Sequence, residues 1–233
     1  MRRLLITGTD TGAGKTTFTC ALLQQALSAN LIARAMKPIA SGADLGPAGL
    51  QNDDALKLLA AQNLPMARYS QVNPYCFAEA IAPHLAQQIA NASVDLKVIR
   101  ANYDALAIDS ELMLVEGAGG FLSPLAMQDG GKLLEHADLA RALGITDVLL
   151  VVGLKLGCIN HTRLSEMAIK ASGLRCIGVS LSVLDADMPA LQGNIDTLKA
   201  VLSVPVLAVL DARAPRSLAQ LLEIIMAKPQ AGC

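Results

Sequence analysis

The chain has 233 residues, 53% of them hydrophobic and 17% charged, with a formal net charge of -1. That length and composition fit one α/β domain with a large core, and the lack of Lys/Arg clusters excludes an electrostatic footprint for nucleic acid or an anionic membrane. No apolar run approaches the ~18 residues that span a bilayer, and Met1-Arg2-Arg3 with three apolar residues behind it is no signal peptide, so a cytoplasmic protein is expected.

In chain order, Leu4-Leu5-Ile6 reads as a short buried strand, followed by a loop holding Gly8, Gly12 and Gly14 and by Lys15-Thr16-Thr17 opening a helical pattern. Such a loop is a phosphate cradle. Glycines let backbone N–H groups turn inward around a polyphosphate, and the helix start adds unpaired N–H groups and a positive dipole end. Thr9, Asp10, Gly12, Ala13, Gly14, Lys15, Thr16 and Thr17 are therefore expected to bind nucleotide, with Lys15 on the terminal phosphates and the Thr16 hydroxyl on Mg²⁺. The loop is a variant, because the usual G-x-x-x-x-G-K-[ST] spacing would put glycine where Thr9 stands.

A helix over 16–29 packs on the sheet, and a strand at 32–36 runs into Lys37-Pro38-Ile39-Ala40-Ser41-Gly42. Ligands of open α/β sheets gather outside the carboxyl ends of the strands, so Lys37 and Ser41 fall beside the phosphate loop. A lysine there neutralises charge as a phosphoryl group passes to an acceptor. Residues 44–52 read as a Gly- and Pro-rich loop, Asp53-Asp54 as the acidic first turn of a helix, and 65–83 as a long loop over the sheet edge. His84 suits either a site or a helix start. After a weakly amphipathic region including 94–106, a buried strand at 112–115 ends in Glu116-Gly117-Ala118-Gly119-Gly120. A carboxylate at such a tip holds Mg²⁺ or its water shell.

Helices at about 133–143, 161–171, 190–202 and 216–227 then alternate with strands at 147–153, 175–182 and 204–210. The pattern predicts a mainly parallel sheet of about seven strands with helices on both faces, in a single domain over 1–228 with a flexible tail at 229–233. The helix start near Asn160 is an anion site, and Lys155 before it suits either an electropositive surface or plain solvation. Five scattered cysteines with no C-x-x-C pair read as reduced thiols, Cys20 and Cys176 in the core and Cys233 on the tail.

GTDTGAGKT, KPIASG, NDDALKL, VNPYCFAEAIAPH, LVEGAGGFLSPL and VVGLKLGCINH, in this order from Thr7 to about Gly178, resemble the dethiobiotin synthetases, P-loop NTPases with the same offset loop. The resemblance implies an ATP-dependent ligase of biotin biosynthesis. It would convert 7,8-diaminononanoate, CO₂ and ATP to dethiobiotin, ADP and phosphate, through a carbamate and a phosphorylated carbamate. It also implies Mg²⁺ on Thr16, Asp54 and Glu116, catalytic roles for Lys37, Lys15 and Thr11, and contacts from Thr11, Lys37 and Ser41 to the diamine and carbamate. A homodimer is implied, with active sites at the interface, where the substrate carboxylate reaches Gly157, Cys158, Ile159 and Asn160 of a second copy together with the Gly119 region.

The chain departs from the family pattern in places. Ala80 replaces a common proline, Ser182-Val183 stand where adenine-selecting members carry Asn-Asp, and Ala208-Val209-Leu210-Asp211 replace Gly-Glu-Ile-Pro. Ser182 offers one hydroxyl where an amide would pair with the adenine edge, so weakened base discrimination is expected. Two other readings stay open: a nucleotide-switched partitioning or assembly ATPase, against which the lack of lysine at Asp10-Thr11 counts, and a non-catalytic paralogue.

Overall fold

The structure, a computed structural model, describes residues 1–47, 49–211 and 218–227. Strand β1 (Arg2–Gly8) leads through the glycine loop to α1 (Lys15–Ser28) and β2 (Ala33–Met36). The short strands β3 (Ile39–Ser41), β4 (Ala43–Gly46) and β5 (Gly49–Asn52) precede α2 (Asp53–Ala61), α3 (Tyr69–Val72), β6 (Tyr75–Phe77), α4 (Pro83–Ile89) and α5 (Leu96–Ala107). Strand β7 (Leu112–Gly120) follows, then β8 (Ala126–Met127), β9 (Leu133–Leu134), α6 (His136–Leu143), β10 (Asp147–Leu154) and α7 (Cys158–Ala171). The chain continues through β11 (Arg175–Val183), α8 (Leu191–Val201), β12 (Val206–Leu210) and α9 (Ala219–Met226).

Among the described residues the central sheet has six strands, not about seven, in the order β12-β11-β10-β1-β7-β2. Every pairing in it is parallel. All eight residues of β10 are buried, and since neighbours on a strand point to opposite faces, both faces of the sheet are covered. Two registers fix the site: Ile6 lies opposite Glu116, and Met36 opposite Val115. The glycine loop and Lys37 therefore leave β1 and β2 on either side of β7, and Glu116 lies inside β7 between them, because that strand runs on to Gly120 and does not end at 115 as expected.

Several boundaries differ from expectation. The stretch at 44–52 is the antiparallel pair β4 and β5, whose glycines Gly46 and Gly49 face each other at the turn. The stretch at 65–83 is no open loop: it holds a 3₁₀ turn (Met66–Arg68), α3, and β6 paired in parallel with β3. The Tyr69 hydroxyl pins it, accepting from Asn52 N at 2.7 Å and donating to Asn73 Oδ1 at 2.9 Å. Such three-residue pairings have no periodicity to read. Helix α6 starts at His136 because Glu135 and Asp138 form a capping box, while Leu133–Leu134 pair with β8. Cys20 and Cys176 are half-buried and Cys158 is buried. The expected start of the last helix, residue 216, and the tail with Cys233 lie outside the described residues.

Candidate active site

A cleft of about 1200 Å³ opens at the carboxyl ends of β1, β2 and β7, lined by Thr11, Lys15, Thr16, Lys37, Asp54 and Gly119, with Ser41 and Ala80 also on its wall. It runs on between α1 and α2 past Cys20, Gln24 and Lys57, which the motifs did not mark. Glu116 is fully buried just beneath this wall.

The glycine loop is fixed by what surrounds it. Gly14 has φ +92°, a left-handed conformation, and a Cβ there would stand 2.6 Å from Ser182 Oγ. The buried Ser182 hydroxyl thus abuts the start of α1, opposite Gly153 of β10. Asp10 Oδ1 accepts from Thr11 N at 2.8 Å, and Asp10 Oδ2 pairs with Lys155 Nζ at 2.6 Å. Lys155 is therefore not simply solvated, and its ammonium holds the Asp10 carboxyl below the usual range.

Lys15 bends back across its own loop, donating to Asp10 O at 3.0 Å and Gly119 O at 2.9 Å. Burial, reinforced by the nearby Lys37 charge, pulls its pKa down to about 8. Lys37 Nζ donates to Asp54 Oδ2 at 3.0 Å and Glu116 Oε1 at 2.9 Å. Burial works against its charge, but the two carboxylates win and raise its pKa. Asp54 is likewise desolvated, yet the Lys37 ammonium holds its pKa down. Asn73, unmarked in the sequence, fixes the lysine's backbone by donating from Nδ2 to Lys37 O at 2.7 Å.

The Thr16 hydroxyl donates to Glu116 Oε1 at 2.7 Å. Among the described residues no group of three or more His, Cys, Asp or Glu side chains is placed to hold a metal. Thr16, Asp54 and Glu116 instead give one hydroxyl and two carboxylates, a sparse set of hard oxygens. That set fits Mg²⁺, which keeps waters and phosphate oxygens as its other ligands.

Ser41 Oγ donates to Ile81 O at 2.7 Å, tying the cleft wall to the segment before α4. His84 sits in the first turn of α4, half-buried and off the cleft. Gly157, Cys158, Ile159 and Asn160 start α7 outside the cleft, and Cys158 is buried. Thr9 and Asp10 face a second hollow of about 520 Å³ with Phe121, His161 and Leu164. Sequence reading also missed His136, whose buried imidazole lies so close that a Cβ on Gly117 would be 2.2 Å from its Nε2. Burial and the Lys15 charge push the His136 pKa down to about 3, so the ring is neutral.

A strand, glycine loop and helix presenting Lys15, with a buried acid inside the neighbouring strand, define a P-loop nucleotide-binding protein. A family described as an AAA domain matches residues 2–216. The chain is 43% identical over 200 residues to an ATP-dependent dethiobiotin synthetase BioD of Xanthomonas campestris pv. campestris, covering 86% of each chain. It is 42% identical to the BioD of Xylella fastidiosa, covering 86% of this chain and 85% of that one. The chain belongs to the family of ATP-dependent dethiobiotin synthetases. Solved structures share the fold at lower identity. The MinC:MinD cell division protein complex of Aquifex aeolicus matches at 12% identity and TM-score 0.53, over 97% of this chain and 85% of that one. The signal recognition particle receptor FtsY of Elizabethkingia anophelis matches at 13% and 0.52, where the match spans 65% of that receptor's length.

Proposed function

We propose that this enzyme carboxylates 7,8-diaminononanoate with CO₂ and closes the ureido ring of dethiobiotin at the expense of ATP, in the cleft floored by Lys15 and Lys37. The carrying observation is Lys37, whose buried ammonium stands between Asp54 and Glu116 at the end of β2, across β7 from the strand that leads into the phosphate loop. A carbamate and a triphosphate repel each other, and cations placed beside them relieve that repulsion in the transition state.

One substrate amine adds to CO₂ and loses a proton to give the carbamate. A carbamate oxygen takes the γ-phosphoryl group and ADP leaves; the second amine then attacks the carbonyl carbon and phosphate departs with the C–O bond. Lys15 and the N–H groups of the loop hold the phosphates, Lys37 offsets the charge on the acceptor, and Thr11 and Ser41 orient the diamine. Mg²⁺ held by Thr16, Asp54 and Glu116 would neutralise phosphate charge. Placement supplies much of the rate, since the three reactants are held together.

The start of α7 lies outside the cleft of its own chain, which fits a homodimer in which Gly157, Cys158, Ile159 and Asn160 of a second copy receive the substrate carboxylate. Leu122 (60% exposed), Leu156 (96%), Leu164 (56%) and Met167 (65%) supply apolar surface for it. No helix among the described residues is long and apolar enough to cross a membrane, in keeping with a cytoplasmic site of action. Incubation with ATP, Mg²⁺, bicarbonate and 7,8-diaminononanoate tests the reaction: mass spectrometry should find dethiobiotin that is lost in Lys37→Ala. Nucleotide binding without product would refute it.

A further inference from the structure

Helix α1 carries a second hydroxyl on the face that meets Glu116. Thr19 is fully buried, three residues beyond Thr16 and so on the same side of the helix. Its Oγ1 lies 2.9 Å from Lys15 O and 2.9 Å from Glu116 Oε2. A threonine within a helix commonly back-bonds to the carbonyl four residues earlier, and that alone would be a structural habit. This hydroxyl has one proton for two unequal acceptors. Lys15 O is neutral and in register to accept the helical N–H of Thr19, whereas Glu116 Oε2 belongs to a fully buried carboxyl group, for which a donor is worth more.

The division of labour around Glu116 follows. Thr16 and Lys37 donate to Oε1, and Thr19 donates to Oε2. A carboxyl group held at one oxygen can still rotate about its last torsion; held at both, it cannot. We propose that Thr19 is a positioning residue, which grips Glu116 Oε2 and thereby keeps Oε1 turned toward Thr16, Lys37 and the cleft. The inference rests on the reading of Glu116 as a metal ligand. Partners behind a ligand commonly change metal affinity or activity about 10- to 100-fold when removed.

Mn²⁺ serves as the probe, its binding followed by electron paramagnetic resonance with ADP present, alongside the melting temperature of each protein. Thr19→Val, close to isosteric but without the hydroxyl, should weaken Mn²⁺ binding about 10-fold or more, and Thr19→Ser should restore it. Thr19→Ala provides a second hydroxyl-free variant should the valine protein not fold. Glu116→Gln is the reference for loss of the ligand. Wild-type affinity in folded Thr19→Val or Thr19→Ala, with Glu116→Gln impaired, overturns the positioning role, as does a folded Thr19→Ser as weak as the valine protein. Wild-type affinity in Glu116→Gln removes the metal reading itself and the inference with it.

Discussion

Lys37 and Glu116 form a buried ion pair at 2.9 Å, with the lysine side chain 5% exposed and the glutamate 0%. Removing one partner of such a pair strands the other charge, at a cost of about 3–5 kcal/mol. Lys37→Met should lower unfolding free energy by that order in urea titration, and Glu116→Gln added to it should recover a good part. A Lys37→Met midpoint equal to wild type would show that Thr16 and Thr19 suffice to hold the carboxyl group.

Lys15 gives a pH dependence. The unfolded chain keeps its proton to about 10.5 and the folded chain only to about 8, so the unfolded state binds more protons between these values. Stability of the ligand-free protein from this group therefore rises as pH goes from about 8 to 10.5. Phosphates arriving at Lys15 favour its charged form, so at pH near 8 nucleotide binding should take up about half a proton per site. Calorimetry in buffers of different ionisation enthalpy reads this uptake, and Lys15→Ala should abolish it.

Gly117 has a packing reason apart from backbone freedom. A methyl group there would fall 2.2 Å from His136 Nε2, inside a fully buried site. Gly117→Ala should destabilise by about 1–3 kcal/mol through overpacking, and His136→Ala should relieve much of it in a double-mutant cycle. Additive effects of the two substitutions would contradict direct contact.

Ser182 should leave base choice loose. Sites that pair a polar group with the correct substrate reject others by about 10⁴-fold, and a single hydroxyl directed at Gly14 gives no such lever. ATP, CTP and GTP are expected to differ in kcat/KM by less than about 100-fold. A preference for ATP well beyond that, in a competition assay, would mean that selection comes from other residues.

The outline of the site was legible because its signals are local. Gly14-Lys15-Thr16 follows a buried run and Glu116 follows another, although its strand runs on to Gly120, and each pattern is read over a few consecutive residues. Lys37 was legible in part, since the rule that ligands gather at strand ends names the region and not the neighbour.

What the sequence by itself determined was a parallel α/β scaffold, a phosphate loop and the acids and lysines near it, because hydrophobic period and glycine punctuation act over a few residues. Only the tertiary structure decided the strand order β2-β7-β1, which sets Lys37 beside Glu116 across 79 positions of chain. It alone brought Thr19 to Glu116, Ser182 to Gly14 and His136 to Gly117. These contacts join elements far apart in sequence, and packing of the whole core selects them; no local propensity records it.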